Sequence, residues 1–188
     1  MDTSYNLNWL LAQEKQGITL KYLYFWGHQP SKNGQITATC LSQWWEGHPF
    51  VVAGITYLTA EHWMMAQKAQ FFGDYETSEK ILVAKTPAEA KKLGRGVQNF
   101  DLGLWQEKCV DLVTQGNVHK FGQHEALKTF LLNTQNRVLV EASPFDKIWG
   151  IGLSADDPKA QHPHQWEGLN LLGWALMGAR DVLRGVVS

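Results

Sequence analysis

The segment from Thr59 to Gly73 constrains the fold most, because it carries the start and stop signals of one helix. Threonine commonly caps the first turn of a helix, and glycine commonly follows the last turn. At 3.6 residues per turn, Glu61 and Lys68 lie on one side of this helix, about 10 Å apart along its axis. They can line a pocket, or they can simply complement the helix dipole at its two ends. The segment alone leaves both interpretations open.

The composition indicates one globular domain. The chain has 188 residues, 44% of them hydrophobic, which is enough to bury a sizeable core. Seventeen basic and eighteen acidic residues give a formal net charge of -1, so no basic excess indicates a nucleic-acid backbone as the partner. Cys40 and Cys109 form no CxxC pattern and are expected to be reduced core thiols.

No part of the sequence indicates a membrane segment. No apolar run approaches the roughly 18 residues needed to span a bilayer, and the N-terminus lacks the pattern of a signal peptide. We therefore expect a cytoplasmic protein without a membrane partner. The sequence His162-Pro163-His164 is not accompanied by a Cys or carboxylate at a recognisable spacing, so no zinc site is expected.

Tryptophan is unusually frequent in this chain. Its large flat ring suits planar ligands such as bases and sugars, but it also fills cores. The nine residues are Trp9, Trp26, Trp44, Trp45, Trp63, Trp105, Trp149, Trp166 and Trp174. For each of them, both roles remain open at this stage.

The periodicity predicts an α+β fold, a single helix-rich domain over residues 1–188 with a small β-sheet. Residues 1–17 are expected to be a lead-in segment or a short N-terminal helix. Extended segments are predicted at 18–25, 37–45, 50–58 and 137–142, with Gly54 as a turn or bulge within 50–58. Helices are predicted at 59–72, 78–84, 86–94, 101–116, 123–132 and 170–183. Thr86 and Asp101 are expected to cap two of them, and Gly116 is expected to end one. Residues 156–163 are expected to be a polar, exposed segment.

Asp146 is the second carboxylate that the pattern singles out. It follows the predicted strand 137–142 in an irregular loop, where a rigid strand can hold a functional side chain. An aspartate in such a loop can equally accept hydrogen bonds from its own backbone in an Asx turn. Further along, Gly168 and Gly173 would let a backbone come close to another group, although they do not match the dinucleotide-binding fingerprint.

Several blocks of sequence occur together in a fixed order. They are 59–62 with 66–69, the middle segment 86–95, 120–121, 139–144 with Asp146 and 149–152, and 168–173 with Met177 and Arg180. In this order, from about Phe25 to Arg180, they resemble the NADAR (YbiA-like) N-glycosidase family. The sequence departs from the family pattern at 41–44, where a Ser-Asn-Phe-like run is expected, and residues 1–17 have no counterpart there.

The resemblance implies a YbiA-like fold and a hydrolase that breaks the N-glycosidic bond between a ribose and a base-like group. Members of the family cleave phosphorylated ribosylamino-pyrimidine intermediates of riboflavin synthesis and release ribose 5-phosphate. Others remove ADP-ribose from guanine bases, including guanine in nucleic acid. Such hydrolysis requires no metal and no organic cofactor. A module that binds ADP-ribose or a ribose phosphate without cleaving it is the alternative from another functional class.

The resemblance also assigns roles by position. Glu61 and Asp146 are the expected catalytic carboxylates, and the place of Glu61 in the first turn of a helix favours its ionised form. The expected substrate-binding residues are Trp105 as a stacking platform with Trp26 and Trp149 in reserve, Lys68 and Arg95 as phosphate contacts, and Asn170. Arg180 is a weaker candidate, because an arginine late in a helix can bind the helix's own carbonyl groups.

Overall fold

The computed structural model describes residues 5–185 and places seven α-helices and four short strands within them. The helices are α1 (Leu7–Lys15), α2 (Ala60–Phe71), α3 (Tyr75–Leu82), α4 (Pro87–Gly94), α5 (Leu102–Gly122), α6 (Glu125–Asn133) and α7 (Leu171–Arg184). The strands are β1 (Tyr22–Phe25), β2 (Phe50–Val52), β3 (Ile55–Tyr57) and β4 (Val138–Glu141). The predicted helix-rich α+β class is confirmed. None of the described helices is both long and apolar enough to cross a membrane.

The chain divides into two compact units. The first unit comprises Met1–Ser42 and Thr129–Ser188, and the second comprises Gln43–Lys128. Helix α6 begins in the second unit and ends in the first. The single domain expected over residues 1–188 stays a prediction.

In the first unit, β1 and β4 form a parallel pair with Tyr22 opposite Val138 and Phe25 opposite Glu141. The ladder continues one step further, where the Ala142 amide donates to the Phe25 carbonyl at 2.9 Å. The first three residues of β4 are completely buried, because β1 lies beside the strand and α7 packs on it. Parallel strands end at the same edge of a sheet, so the segments that leave Phe25 and Glu141 emerge side by side.

Helix α7 approaches β4 closely because residue 173 is glycine. A Cβ atom at Gly173 would lie 2.1 Å from the Leu139 carbonyl oxygen. At the start of the helix, Asn170 adopts φ 55° and binds the same strand. Its Oδ1 accepts from the Glu141 amide at 3.0 Å, and its Nδ2 donates to the Leu139 carbonyl at 3.0 Å. A Cβ at Gly168 would likewise lie 2.3 Å from the Gly150 carbonyl oxygen. The close approach predicted for these glycines is thus made to the protein's own backbone.

Several tryptophans build an aromatic cluster in the first unit. Trp9 of α1 meets Tyr5 edge-on at 4.9 Å and Trp174 of α7 at 6.4 Å between ring centroids. Trp166 lies 6.2 Å from Trp174. The Tyr5 hydroxyl donates to Asp181 Oδ2 at 2.6 Å. These contacts attach the predicted lead-in helix to the C-terminal helix, and the rings serve as core packing.

In the second unit, α2 packs against α3, α4 and α5, so that Ala60 and the six residues after it are all buried. Gly116 does not end α5, contrary to the prediction; the helix continues to Gly122. A Cβ at Gly116 would lie 2.3 Å from Trp63 Cδ1, so the glycine makes room for that ring. The Trp63 Nε1 then donates to the Leu112 carbonyl at 2.7 Å. A packing requirement, not a helix end, explains this glycine.

The helix starts predicted at Thr59, Thr86 and Asp101 are confirmed, whereas the helix expected over 78–84 begins at Tyr75 and ends at Leu82. In each confirmed case a backbone amide donates to the side-chain oxygen of the capping residue: His62 to Thr59 Oγ1 at 3.4 Å, Glu89 to Thr86 Oγ1 at 3.2 Å, and Leu104 to Asp101 Oδ1 at 2.9 Å. Each cap acts within three residues, which is why sequence alone identifies it. Cys40 and Cys109 are buried, as predicted, and neither forms a disulfide within residues 5–185.

The first extended segment after β1 differs from the prediction. Residues 37–45 were expected to be extended, but Ala38–Leu41 forms a short 3-10 helix. The Ser42 amide donates back to the Thr39 carbonyl at 3.1 Å, so this buried segment satisfies its backbone locally. Residues 50–58 form the hairpin of β2 and β3, with a turn at Gly54 as predicted; Ala53 and Gly54 both have positive φ, as in a type I′ turn.

Two other segments differ from expectation in extent or exposure. The predicted strand 18–25 pairs only over Tyr22–Phe25, which matches the four residues of its partner β4. The segment 156–163 is not simply exposed. It contains the 3-10 helix Pro158–Gln161 and leads into a second one, Pro163–Gln165, and Ala160 and Pro163 are buried.

Candidate active site

An aromatic pair lies at the edge of the sheet where β1 and β4 end. Trp26 directly follows β1, and Phe145 lies four residues after the end of β4. Their ring centroids are 6.0 Å apart, with the planes inclined by 47°. Trp26 is 54% exposed and Phe145 is 85% exposed. The parallel pairing therefore brings two accessible aromatic rings together beside the loop that carries Asp146.

Asp146 is held in this loop by one of its two carboxylate oxygens. Oδ1 accepts from the Ile148 amide at 2.9 Å and from the Trp149 amide at 2.8 Å. Within residues 5–185, Oδ2 makes no hydrogen bond. The Asx turn and the functional interpretation are thus compatible, because one oxygen orients the group and the other can meet a substrate.

The loop that follows β4 is closed back on the strand. The Ile151 amide donates to the Glu141 carbonyl at 2.9 Å, and the Gly152 amide donates to the Asp146 carbonyl at 3.2 Å. A Cβ at Gly150 would lie 2.8 Å from the Glu141 carbonyl oxygen, so only glycine permits this approach. Trp149 is half-buried, with its backbone amide on Asp146. These contacts fix the carboxylate relative to the sheet.

Glu61 lies in the second unit, at the second position of α2, and is only 2% exposed. Its backbone amide donates to the Gln43 carbonyl at 2.9 Å. The Gln43 side chain accepts from Asn117 Nδ2 of α5 at 3.0 Å, which ties the helix start to a neighbouring helix. A glutamate that only complements a helix dipole gains nothing from burial, since removing a carboxylate from water costs free energy. Its burial therefore favours the functional interpretation.

Lys68 and Trp105 come together in the second unit. The Lys68 ammonium donates to the Gly94 carbonyl at 2.8 Å and lies 4.1 Å from the centre of the Phe100 ring and 5.9 Å from that of Trp105. Burial lowers the pKa of Lys68. Arg95, next in the chain after Gly94, is exposed. Phe100 was not anticipated, although its place directly before a helix cap could have drawn attention to it.

Two candidates have roles in the fold. Asn170 is 0% exposed, and its amide group is bound to the β4 backbone, so we leave it out of the proposed substrate contacts. Arg180 is also buried and donates to Thr134 Oγ1 at 2.8 Å and to the Arg137 carbonyl at 2.9 Å. Burial lowers its pKa. Within residues 5–185, no three His, Cys, Asp or Glu side chains are grouped to hold a metal ion.

His62 is a buried histidine whose partners define its tautomer. Nε2 lies 3.0 Å from the Ala84 carbonyl oxygen, which can only accept, so Nε2 carries the proton. In the neutral ring, Nδ1 then accepts from the Thr59 hydroxyl at 2.8 Å. Burial lowers the pKa of His62 from its ordinary value of 6.5. The neutral ring is therefore the form that the folded second unit prefers.

We expect this preference to make stability depend on pH. The unfolded chain protonates His62 at a higher pH than the folded protein, so the free energy of unfolding should fall as pH decreases below 6.5. The contribution of His62 to the free energy of unfolding stops changing once the pH lies below the pKa of His62 in the folded protein. Urea unfolding from about pH 7.5 to about pH 5 should show a smaller loss for His62→Gln than for wild type. His164→Gln, at an exposed site, is the control, and equal losses in all three proteins would contradict the prediction.

Comparisons with known proteins add a family and a fold. The family model for the NADAR domain matches residues 24–184. The chain is 41% identical to an N-glycosidase of Acanthamoeba polyphaga mimivirus, over 87% of this chain and 96% of that protein. It is 34% identical to the chloroplastic riboflavin biosynthesis protein PYRR of Zea mays, over 70% of this chain but 20% of that protein. The NMR structure of the E. coli protein YbiA superimposes with a TM-score of 0.69 at 26% identity, covering 88% of this chain and 86% of that chain.

Proposed function

The chain belongs to the NADAR domain family and is a hydrolase of N-glycosyl bonds. We propose that its substrate is a phosphorylated ribosyl compound of a pyrimidine-type base. The products are then ribose 5-phosphate and the free base. The similarity to a riboflavin biosynthesis protein supports this substrate class. A phosphorylated small-molecule substrate also accords with the predicted cytoplasmic location. The observation that carries the proposal is the Asp146 carboxylate, oriented through one oxygen beside two exposed aromatic rings.

The chemistry requires negative charge near the sugar. As the C1–N bond breaks, its electron pair leaves with the base and positive charge develops on the ribose ring. A fixed carboxylate stabilises that charge, and a second one removes a proton from the attacking water or supplies a proton to the base. Water adds its oxygen to C1, and the base departs with a proton. We assign Glu61 and Asp146 to these carboxylate roles.

Lys68 is assigned to the substrate phosphate, and Arg95 is its exposed second contact. The Lys68 ammonium lies over the Phe100 and Trp105 rings. Because the Lys68 ammonium already lies near the Trp105 ring, this ring is less accessible to a base than the Trp26 ring, which is 54% exposed. Stacking of the base on Trp105 nevertheless stays a prediction, and Trp105→Leu tests it.

We expect Lys68→Met to raise KM for the phosphorylated substrate about 10-fold, because one charge-assisted hydrogen bond is lost. Methionine is an uncharged, flexible apolar side chain that contacts aromatic rings favourably, so it can occupy the same space beside Phe100 and Trp105. Steady-state kinetics with the substrate and with its dephosphorylated analogue should show the effect only for the former. Lys80→Met, at an exposed lysine paired with Glu76, is the control. Equal losses for both substrates would remove Lys68 from the phosphate contacts.

The substrate class is tested directly by product release. The purified protein is incubated with ribosylamino-pyrimidine phosphates and with ADP-ribosylated guanine, and ribose 5-phosphate and ADP-ribose are quantified. Release of ribose 5-phosphate alone supports the proposal. Release of ADP-ribose alone would show that the protein removes ADP-ribose from guanine instead. Calorimetric binding of ADP-ribose without turnover of either substrate would instead indicate a binding module.

A further inference from the structure

Phe145 is the most exposed of the large hydrophobic residues in the described part of the chain, at 85%. Hydrophobic stabilisation scales with the apolar area removed from water, so this side chain contributes little to folding. A single exposed apolar residue needs no explanation. Phe145, however, is paired with a second exposed ring, Trp26, and directly precedes Asp146. This arrangement indicates a surface kept open for a ligand.

The geometry of the pair limits how a ligand can bind. A flat ring inserted between two others needs about 7 to 8 Å between parallel planes, twice the optimal separation of carbon atoms. Trp26 and Phe145 are 6.0 Å apart and inclined by 47°, so a ring cannot enter between them. The two rings form a corner instead. A planar group can stack on the open face of one ring and touch the other with its edge.

The corner is held in place by the backbone on the Phe145 side. The Phe145 amide donates to Ser143 Oγ at 3.4 Å, and the next residue, Asp146, anchors the turn that follows. The preceding residue, Pro144, has a restricted φ. A ligand therefore meets a backbone that is already ordered, which lowers the entropy lost on binding.

On the basis of the proposed hydrolysis, we infer that Phe145, together with Trp26, contacts the departing base and selects substrates whose leaving group is a planar aromatic heterocycle. Stacking is tolerant of the ring's substituents, because every base has a flat face. Phe145 is thus a binding residue for the leaving group, distinct from the carboxylates that act on the bond.

Three substitutions at one position test this role. Phe145→Ala should lower kcat/KM for the aromatic substrate about 10-fold, because base–ring stacking is lost. Phe145→Leu, apolar but not planar, should behave like the alanine variant, and Phe145→Tyr should restore most of the activity. Inhibition by ribose 5-phosphate should be unchanged in all three. Tyr75→Leu, which removes a 67% exposed aromatic ring from α3, is the control and should retain wild-type kinetics.

A binding measurement separates this inference from the proposed function. Free cytosine is titrated into the wild type and Phe145→Ala, and its affinity is followed by NMR. Weaker binding to the variant, by about 10-fold, supports the inference even if the wild type hydrolyses neither substrate. Equal or absent binding in both proteins overturns it. Hydrolysis by Phe145→Ala within twofold of the wild type also overturns it while leaving the N-glycosidase function intact.

Discussion

Glu61→Gln should lower kcat for the N-glycoside by about 10²-fold or more, because the amide keeps the shape of the carboxylate but not its charge. Glu61 is 2% exposed, so bulk water cannot take the place of the lost charge. Glutamine keeps hydrogen-bonding groups at the buried position, so the variant should still fold. The measurements are single-turnover rates and thermal unfolding midpoints of the same preparations.

Glu76→Gln provides the matched control for this prediction. Glu76 occupies the same second position in α3 that Glu61 occupies in α2, but its side chain is 80% exposed. Both residues complement a helix dipole to a similar degree, so Glu76→Gln should leave turnover unchanged. If Glu61→Gln keeps near-wild-type turnover, the carboxylate contributes only to helix stability and its catalytic assignment is wrong.

Asp146→Asn should reduce kcat by about 10²-fold while leaving the loop intact. The asparagine side-chain oxygen can still accept from the Ile148 and Trp149 amides, which now hold Asp146 Oδ1 at 2.9 and 2.8 Å. Only the second oxygen is replaced, by an NH2 group without negative charge. Rates measured for this variant therefore report the loss of charge at one atom. Asp146→Ala should lose both the charge and the turn, and should also unfold at a lower temperature.

Asp157→Asn is the corresponding control within the same unit. Asp157 also accepts a backbone hydrogen bond through Oδ1, from the Lys159 amide at 2.8 Å, but has no role in the proposed chemistry. It should retain both stability and turnover. Wild-type turnover in Asp146→Asn, with a stable fold, would reduce Asp146 to a turn-forming residue.

Features that depend on a few adjacent residues were predictable. The caps Thr59, Thr86 and Asp101 act within three residues, so the sequence identifies the helices that they start. Features that depend on distant partners were not. Gly116 has the appearance of a helix end, and only the Trp63 ring against it explains why the helix continues. Gly168 and Gly173 indicate close approach, but not what approaches them.

The sequence by itself determined the family, the helix-rich α+β class and the two carboxylates worth testing, because these follow from ordered motifs and local periodicity. For the helix that begins at Thr59, the local spacing left open whether Glu61 served a pocket or only the helix dipole, and the family resemblance favoured the catalytic role. Tertiary structure decided the accessibility of each candidate. Pairing of β1 with β4 set Phe145 beside Trp26, and packing of α7 on β4 buried the Asn170 amide group against the strand backbone. Burial and ring contacts depend on neighbours far away in the chain, and periodicity does not encode them.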